Sequence, residues 1–143
     1  MSEGRSSRTG DVHAVIHDIE VFDIHEPGDS GTEGGCFCYE VTATVGHVGS
    51  RGGDHFIVRV CSPKYVANHW QEVKGMWGLV PMVKGDGEVV SGTGLWLTEQ
   101  WDEDAVTEAI RALVARSSPG STWAEIGARI GRSTTWEFEY YRD

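Results

Sequence analysis

From Val12 to Ile24 the chain alternates along its length. His13, Val15, His17, Ile19 and Val21 fall on one side, with Phe22 and Ile24 on the other. A period of two is the mark of a half-buried strand. Phe37, Tyr39, Val41, Ala43 and Val45 alternate in the same way with Cys38, Glu40, Thr42 and Thr44, and this is the clearest strand in the chain. Phe56, Val58 and Val60 alternate with Ile57, Arg59 and Cys61 in a third. Glycine-rich stretches at 27–35 and 46–54 separate the three, which predicts an antiparallel meander.

The period then changes. Ser62-Pro63 reads as a helix start, because Ser can cap free amides and Pro at the first helical position loses no hydrogen bond. Val66, Ala67, Trp70 and Val73 would form its buried side. Residues 88–98 read as a strand or strand pair, with a bulge, bend or turn at Gly92-Thr93-Gly94. Asp102 can cap a helix running to about Arg116, along which Val106, Ala109, Ile110, Leu113 and Val114 recur at helical spacing. Thr122-Trp123-Ala124-Glu125 matches a capping box, and Gly131 is the expected stop of the helix that follows. Trp136, Phe138 and Tyr140 alternate with Glu137, Glu139 and Tyr141 in a closing strand. The predicted order is β-β-β-α-β-α-α-β. Strands and helices segregate, so the expected class is α+β: a largely antiparallel sheet of about five strands with helices packed on one face.

Size adds that the 143 residues form one domain, expected over 12–143 behind a disordered polar leader at 1–11. Charge narrows the partners. Asp and Glu number 22 against 12 Lys and Arg, a net charge of -10. Such a surface repels phosphate backbones and anionic membranes and favours a basic protein. No apolar run is long enough to span a bilayer, and the first residues lack the apolar core of a signal peptide. Three cysteines, at 36, 38 and 61, make a poor disulfide framework and read as reduced thiols in a cytoplasmic protein.

Candidate chemistry is sparse. No phosphate-binding loop, dinucleotide fingerprint or metal-binding motif occurs, so no cofactor, no metal and no catalytic site are expected. His13 and His17 are four apart, but on a strand that is ~13 Å, too far to share an ion. Cys61 is the one candidate nucleophile, with Arg59 on its face to lower the thiol pKa. His55 lies ~20 Å away along the strand, too far to act as its base, and only His69 could approach. Glu99, Asp102, Glu103, Asp104 and Glu108 form an acidic cluster that complements a helix dipole and equally suits a basic partner. Six Trp in a small acidic domain suggest an interface as well as a core. Trp123 and Trp136 read as core, whereas Trp77, Trp96 and Trp101 read as partner contacts. The candidate partner-binding residues are Trp96, Glu99, Trp101, Asp102, Glu103, Asp104, Glu137 and Glu139.

His-Phe-Ile-Val-Arg-Val-Cys-Ser-Pro at 55–63, the helix opening at Asp102, Thr-Trp-Ala-Glu-Ile at 122–126 and Trp-Glu-Phe-Glu-Tyr at 136–140 together resemble the immunity protein 8 family of bacterial polymorphic-toxin systems. The resemblance covers roughly 36–141 and is tightest from about 95 onward. The leader and the two glycine-rich loops lie outside it. It implies a non-catalytic protein that binds and neutralises a cognate toxin. It transfers no site residue. The net charge of -10 would suit a toxin with a basic groove, such as a nuclease. A ligand- or peptide-binding module with a pocket lined by Trp77, Trp96 or Trp101 is the alternative. The oligomeric state stays open between monomer and homodimer.

Overall fold

A computed structural model describes residues 11–25, 35–76, 78–82 and 89–137. The predicted meander is the centre of the fold: β1 (Ala14–Asp23), β2 (Cys38–His47) and β3 (Asp54–Cys61) pair antiparallel in chain order. Val41, Ala43 and Val45 of β2 and Phe56, Val58 and Val60 of β3 all turn to one face and are buried. That common face follows from the period of two.

β1 departs from the regular alternation. Its register with β2 shifts between Ile16 and Asp18, so His17 is an extra residue. One inserted residue moves everything beyond it to the other face. Ala14 and Ile16 therefore pack on the core from one side of the bulge and Ile19 and Val21 from the other. The even alternation put His13, Val15 and His17 with Ile19 and Val21. That grouping fails at the bulge.

The free edge of β3 is shared by two short strands from the C-terminal half. β6 (Leu95–Leu97) runs parallel to residues 59–61, and β7 (Thr135–Trp136) runs antiparallel to 56–57. β4 (Leu79–Pro81) and β5 (Val90–Gly92) form a separate antiparallel ribbon. The stretch read as one strand or a pair over 88–98 is thus two strands in different sheets. They part at Gly94, whose φ of 87° and closeness to Thr135 Oγ1 (a Cβ would sit 2.5 Å away) both call for glycine.

The helix starts form as expected. Ser62 Oγ accepts from Tyr65 N at the start of α1 (Pro63–Asn68). Asp102 Oδ1 accepts from Ala105 N at the start of α3 (Glu103–Ser117). Thr122 Oγ1 accepts from Glu125 N at the start of α4 (Trp123–Ile130), while the Glu125 carboxylate reaches back to Ser121 N. α3 buries Val106, Ile110, Leu113 and Val114 against the sheet, and Ala109 is exposed. α4 ends before Gly131, which is in the right-handed helical region rather than a left-handed cap. The helix after Ser62 breaks at His69, and α2 (Trp70–Lys74) follows. The break changes which side is buried: Tyr65 and Val73 face inward, and Ala67 is exposed.

The core has two parts. The larger lies between the meander and helices α3 and α4. The smaller holds Cys36, Cys38, Cys61, Tyr65 and Val73. Cys38 and Cys61 alternate with the residues that face α3, so α1 and α2 pack on the opposite face of the sheet, toward one end. The class is α+β with a mostly antiparallel sheet. Of the predicted closing strand, Trp136 lies in β7 after Thr135, which the prediction left out, and Glu137 lies beyond the strand. Phe138, Glu139, Tyr140 and Tyr141 lie outside the described residues, as does all of the leader except Asp11.

Trp136 shows how the last strand is held. Its ring stacks on Phe56 with centroids 5.7 Å apart. Gly127 of α4 lies so close that a Cβ would come within 2.5 Å of the indole. That contact explains a glycine inside a helix, where it otherwise costs about 1 kcal/mol relative to Ala. Asp54 Oδ2 accepts from the indole N–H of both Trp123 (2.9 Å) and Trp136 (3.0 Å). One carboxylate at the start of β3 thus ties α4 and β7 to the meander.

Candidate partner-binding surface

The acidic residues read from the sequence gather at the start of α3. Glu99, Asp102, Glu103 and Asp104 are all exposed there. Asp102 is committed to capping the helix, while Glu103 and Asp104 occupy its first turn, where the helix dipole favours negative charge.

Strand pairing adds residues that local pattern did not single out. Asp23 lies opposite Tyr39 in the β1–β2 register. Tyr39 stacks on Trp101 with centroids 4.0 Å apart and planes 23° apart, and Phe37 meets Trp101 edge-on. His25 packs edge-on against Tyr39 and pairs with Asp23 at 2.8 Å. Burial raises the Tyr39 pKa above the usual 10.0, and the negative charges of Asp23 and Glu103 raise it further. The result is an aromatic platform, Tyr39 on Trp101, with carboxylates from β1 and α3 converging on it. Beside it a polar cleft of about 400 Å³ runs between β1 and α3, lined by Asp18, Glu103, Thr107 and Arg111 among others.

Ultraviolet titration should report this field. Tyr39, identified by difference against Tyr39→Phe, is expected to ionise above 10.0, and Asp23→Asn to lower that value part of the way. The fold favours the neutral phenol. Its contribution to stability is therefore complete below the ordinary tyrosine value and falls as pH rises through it.

The two tryptophans taken as partner contacts are half-buried rather than exposed. Trp96 packs on the larger core and donates its indole N–H to Ser133 O at 2.8 Å. It borders a small cavity of about 170 Å³ whose lining includes Val60, Asp102 and Val106 but not Trp101. Trp77 lies outside the described residues. Glu137 is also apart from the acidic cluster. It pairs with His55 Nδ1 at 2.6 Å near the start of β3, whereas Tyr39 is opposite Val60 near its end. Five residues of strand separate the two places, ~17 Å. Glu139 lies outside the described residues.

Cys61 is the reverse of an activated thiol. It is fully buried, and its Sγ lies 3.0 Å from Cys38 Sγ. That hydrogen bond, with burial next, pushes its pKa up. Arg59 does pull it down, as expected, but the raising effects outweigh it, and its guanidinium is paired with Glu40, which accepts from its Nε and Nη2 at 3.1 and 2.9 Å. His69 stacks on Tyr65, with its Nδ1 3.8 Å from Glu72. A reactive cysteine needs an accessible, electropositive setting.

A sequence model of the Immunity protein 8 family matches residues 14–141. The chain belongs to the Immunity protein 8 family. The match starts at the first residue of β1 and runs through both glycine-rich loops, which the motif-based resemblance had left out. No curated protein and no solved structure matches the chain. Membership makes the chain an immunity protein, with a toxin as its implied partner and inhibition rather than chemistry as its implied role. Among the described residues no helix is long and apolar enough to cross a membrane.

Proposed function

We propose that this Imm8 protein acts in the cytoplasm by binding a cognate polymorphic toxin directly, through the acidic surface at the start of α3. Glu99, Glu103, Asp104 and Asp23 supply charge around the Tyr39–Trp101 platform. The observation that carries this reading is the convergence of carboxylates from two separate elements on an aromatic pair. Aromatic side chains serve as anchors at interfaces, and surrounding charge selects the partner and speeds its approach. The complementary toxin face is basic. A nuclease groove, which must attract phosphates, has that character.

The test is co-expression with the toxin domain encoded beside this chain, then co-purification and binding kinetics at several salt concentrations. Growth rescue and a stable complex are expected. The double reversal Glu103→Lys/Asp104→Lys should slow association by about tenfold or more at low salt, with a smaller effect at high salt. Asp102 stays untouched because it caps the helix. Binding that ignores salt would sink the electrostatic part. Equal losses from Glu137→Lys would move the interface to the other end of β3.

A further inference from the structure

Cys38 and Cys61 face each other across β2 and β3 as direct register partners. Their sulfurs are 3.0 Å apart, both residues are fully buried, and both are free thiols. The backbone defines the kind of pair. Cys38 O accepts from Ile24 N, and Cys38 N faces the His25 ring nitrogen at 3.3 Å, both on the β1 side. Cys61 O accepts from Thr98 N on the far side. Neither residue spends its backbone groups on the other, so this is a non-hydrogen-bonded antiparallel pair. In such pairs the Cα atoms are ~4.5 Å apart and side chains are closest. That spacing lies inside the range disulfides span. Cys36 is buried in the same cluster, with Asn68 Nδ2 at 4.0 Å from its sulfur.

We propose that Cys38 and Cys61 are an oxidative modification site that closes into a cross-strand disulfide when the chain meets a low-molecular-weight disulfide. The exchange balances. Once the pair is opened to solvent, the thiolate of one of the two cysteines attacks one sulfur of the small disulfide, forms a mixed disulfide and releases one small thiolate. The thiolate of the other cysteine then attacks the protein sulfur of that mixed disulfide and releases the second. Two protein S–H bonds are lost, one S–S bond forms, and the oxidant leaves as two thiols carrying the protons. Reagent reaches the pair through opening of α1 and α2, helices of six and five residues that cover it. The closed bond ties β2 to β3 one residue from Tyr39, and so braces the strand that carries the aromatic platform.

The full chain, denatured in urea and refolded to equilibrium in a glutathione redox buffer, tests this without an access barrier. Acid quenching, alkylation and mass spectrometry of peptides follow. The expected product is a monomer lacking two hydrogens, with Cys36 alkylated and Cys38 joined to Cys61. The Cys36→Ser variant is expected to form the same bond and settles which cysteine of the shared peptide is used. The oxidised protein should melt higher than the reduced one. Three alkylated thiols, a bond through Cys36, glutathione adducts or a lower melting temperature would each overturn the proposal.

Discussion

Replacing Trp136 with alanine is expected to cost about 3–5 kcal/mol, the usual range for emptying a buried aromatic site. Much of the stability of a single domain would go with it, since the total is roughly 5–15 kcal/mol. The indole is 3% exposed and fills the space between Phe56 and Gly127. Gly127 cannot move in to fill the void because it is fixed in α4. Trp136→Phe separates the contributions. It keeps a ring against Phe56 and removes the donor to Asp54, so it should lose roughly 1–2 kcal/mol. Thermal melts should show a drop of roughly 10–20 °C for the alanine variant and a clearly smaller one for phenylalanine.

Ser62→Ala is expected to destabilise by about 2–4 kcal/mol. At most helix starts a lost cap exposes an amide that water can satisfy. Here Ser62 is 1% exposed, and its Oγ accepts from Tyr65 N at 3.0 Å and Phe37 N at 3.2 Å. Alanine leaves two amides without an acceptor in a dry place, and the second belongs to the strand entering β2 rather than to the helix. Ser62→Thr keeps the hydroxyl and should lose less. Urea unfolding is the check: a lower midpoint at an unchanged slope marks lost stability, whereas a changed slope marks a different denatured state.

Ser62 also shows where sequence reading works. The caps at Ser62, Asp102 and Thr122 are local chemistry, written within four residues, and all three form. The β2 and β3 alternation is equally local and places the core face correctly. What escapes is whatever depends on distant partners. The bulge at His17 has no mark in composition, and it regroups the inward residues of β1. Asp54 reads as a loop-end carboxylate until two indoles, 69 and 82 residues further on, fold onto it. The parallel pairing of β6 with β3 needs the whole connection between them. For the candidate surface, the acidic run from Asp102 to Asp104 was legible because it is contiguous. Asp23 and Tyr39 were not, because only β1–β2 register brings them beside Trp101. Sequence alone sets Trp96 on the opposite strand face from Leu95 and Leu97 and Trp101 beside a loop, which reads as partner contact. The Ser133 carbonyl and the Tyr39 ring that hold them come from remote segments.

The sharing of one β3 edge between β6 and β7 has a consequence for how the molecule is born. The meander is synthesised before the helices and strands that cover it, yet its inner face stays partly open until Trp136 has left the ribosome, 80 residues after Phe56. Local contacts form quickly, but a pairing of such long separation must wait for its second half. A nascent chain stalled before Thr135 would display Phe56 and the Gly127 face of α4 to the surroundings. Closure of the face between Phe56 and Gly127 thus waits on β7, the last strand among the described residues.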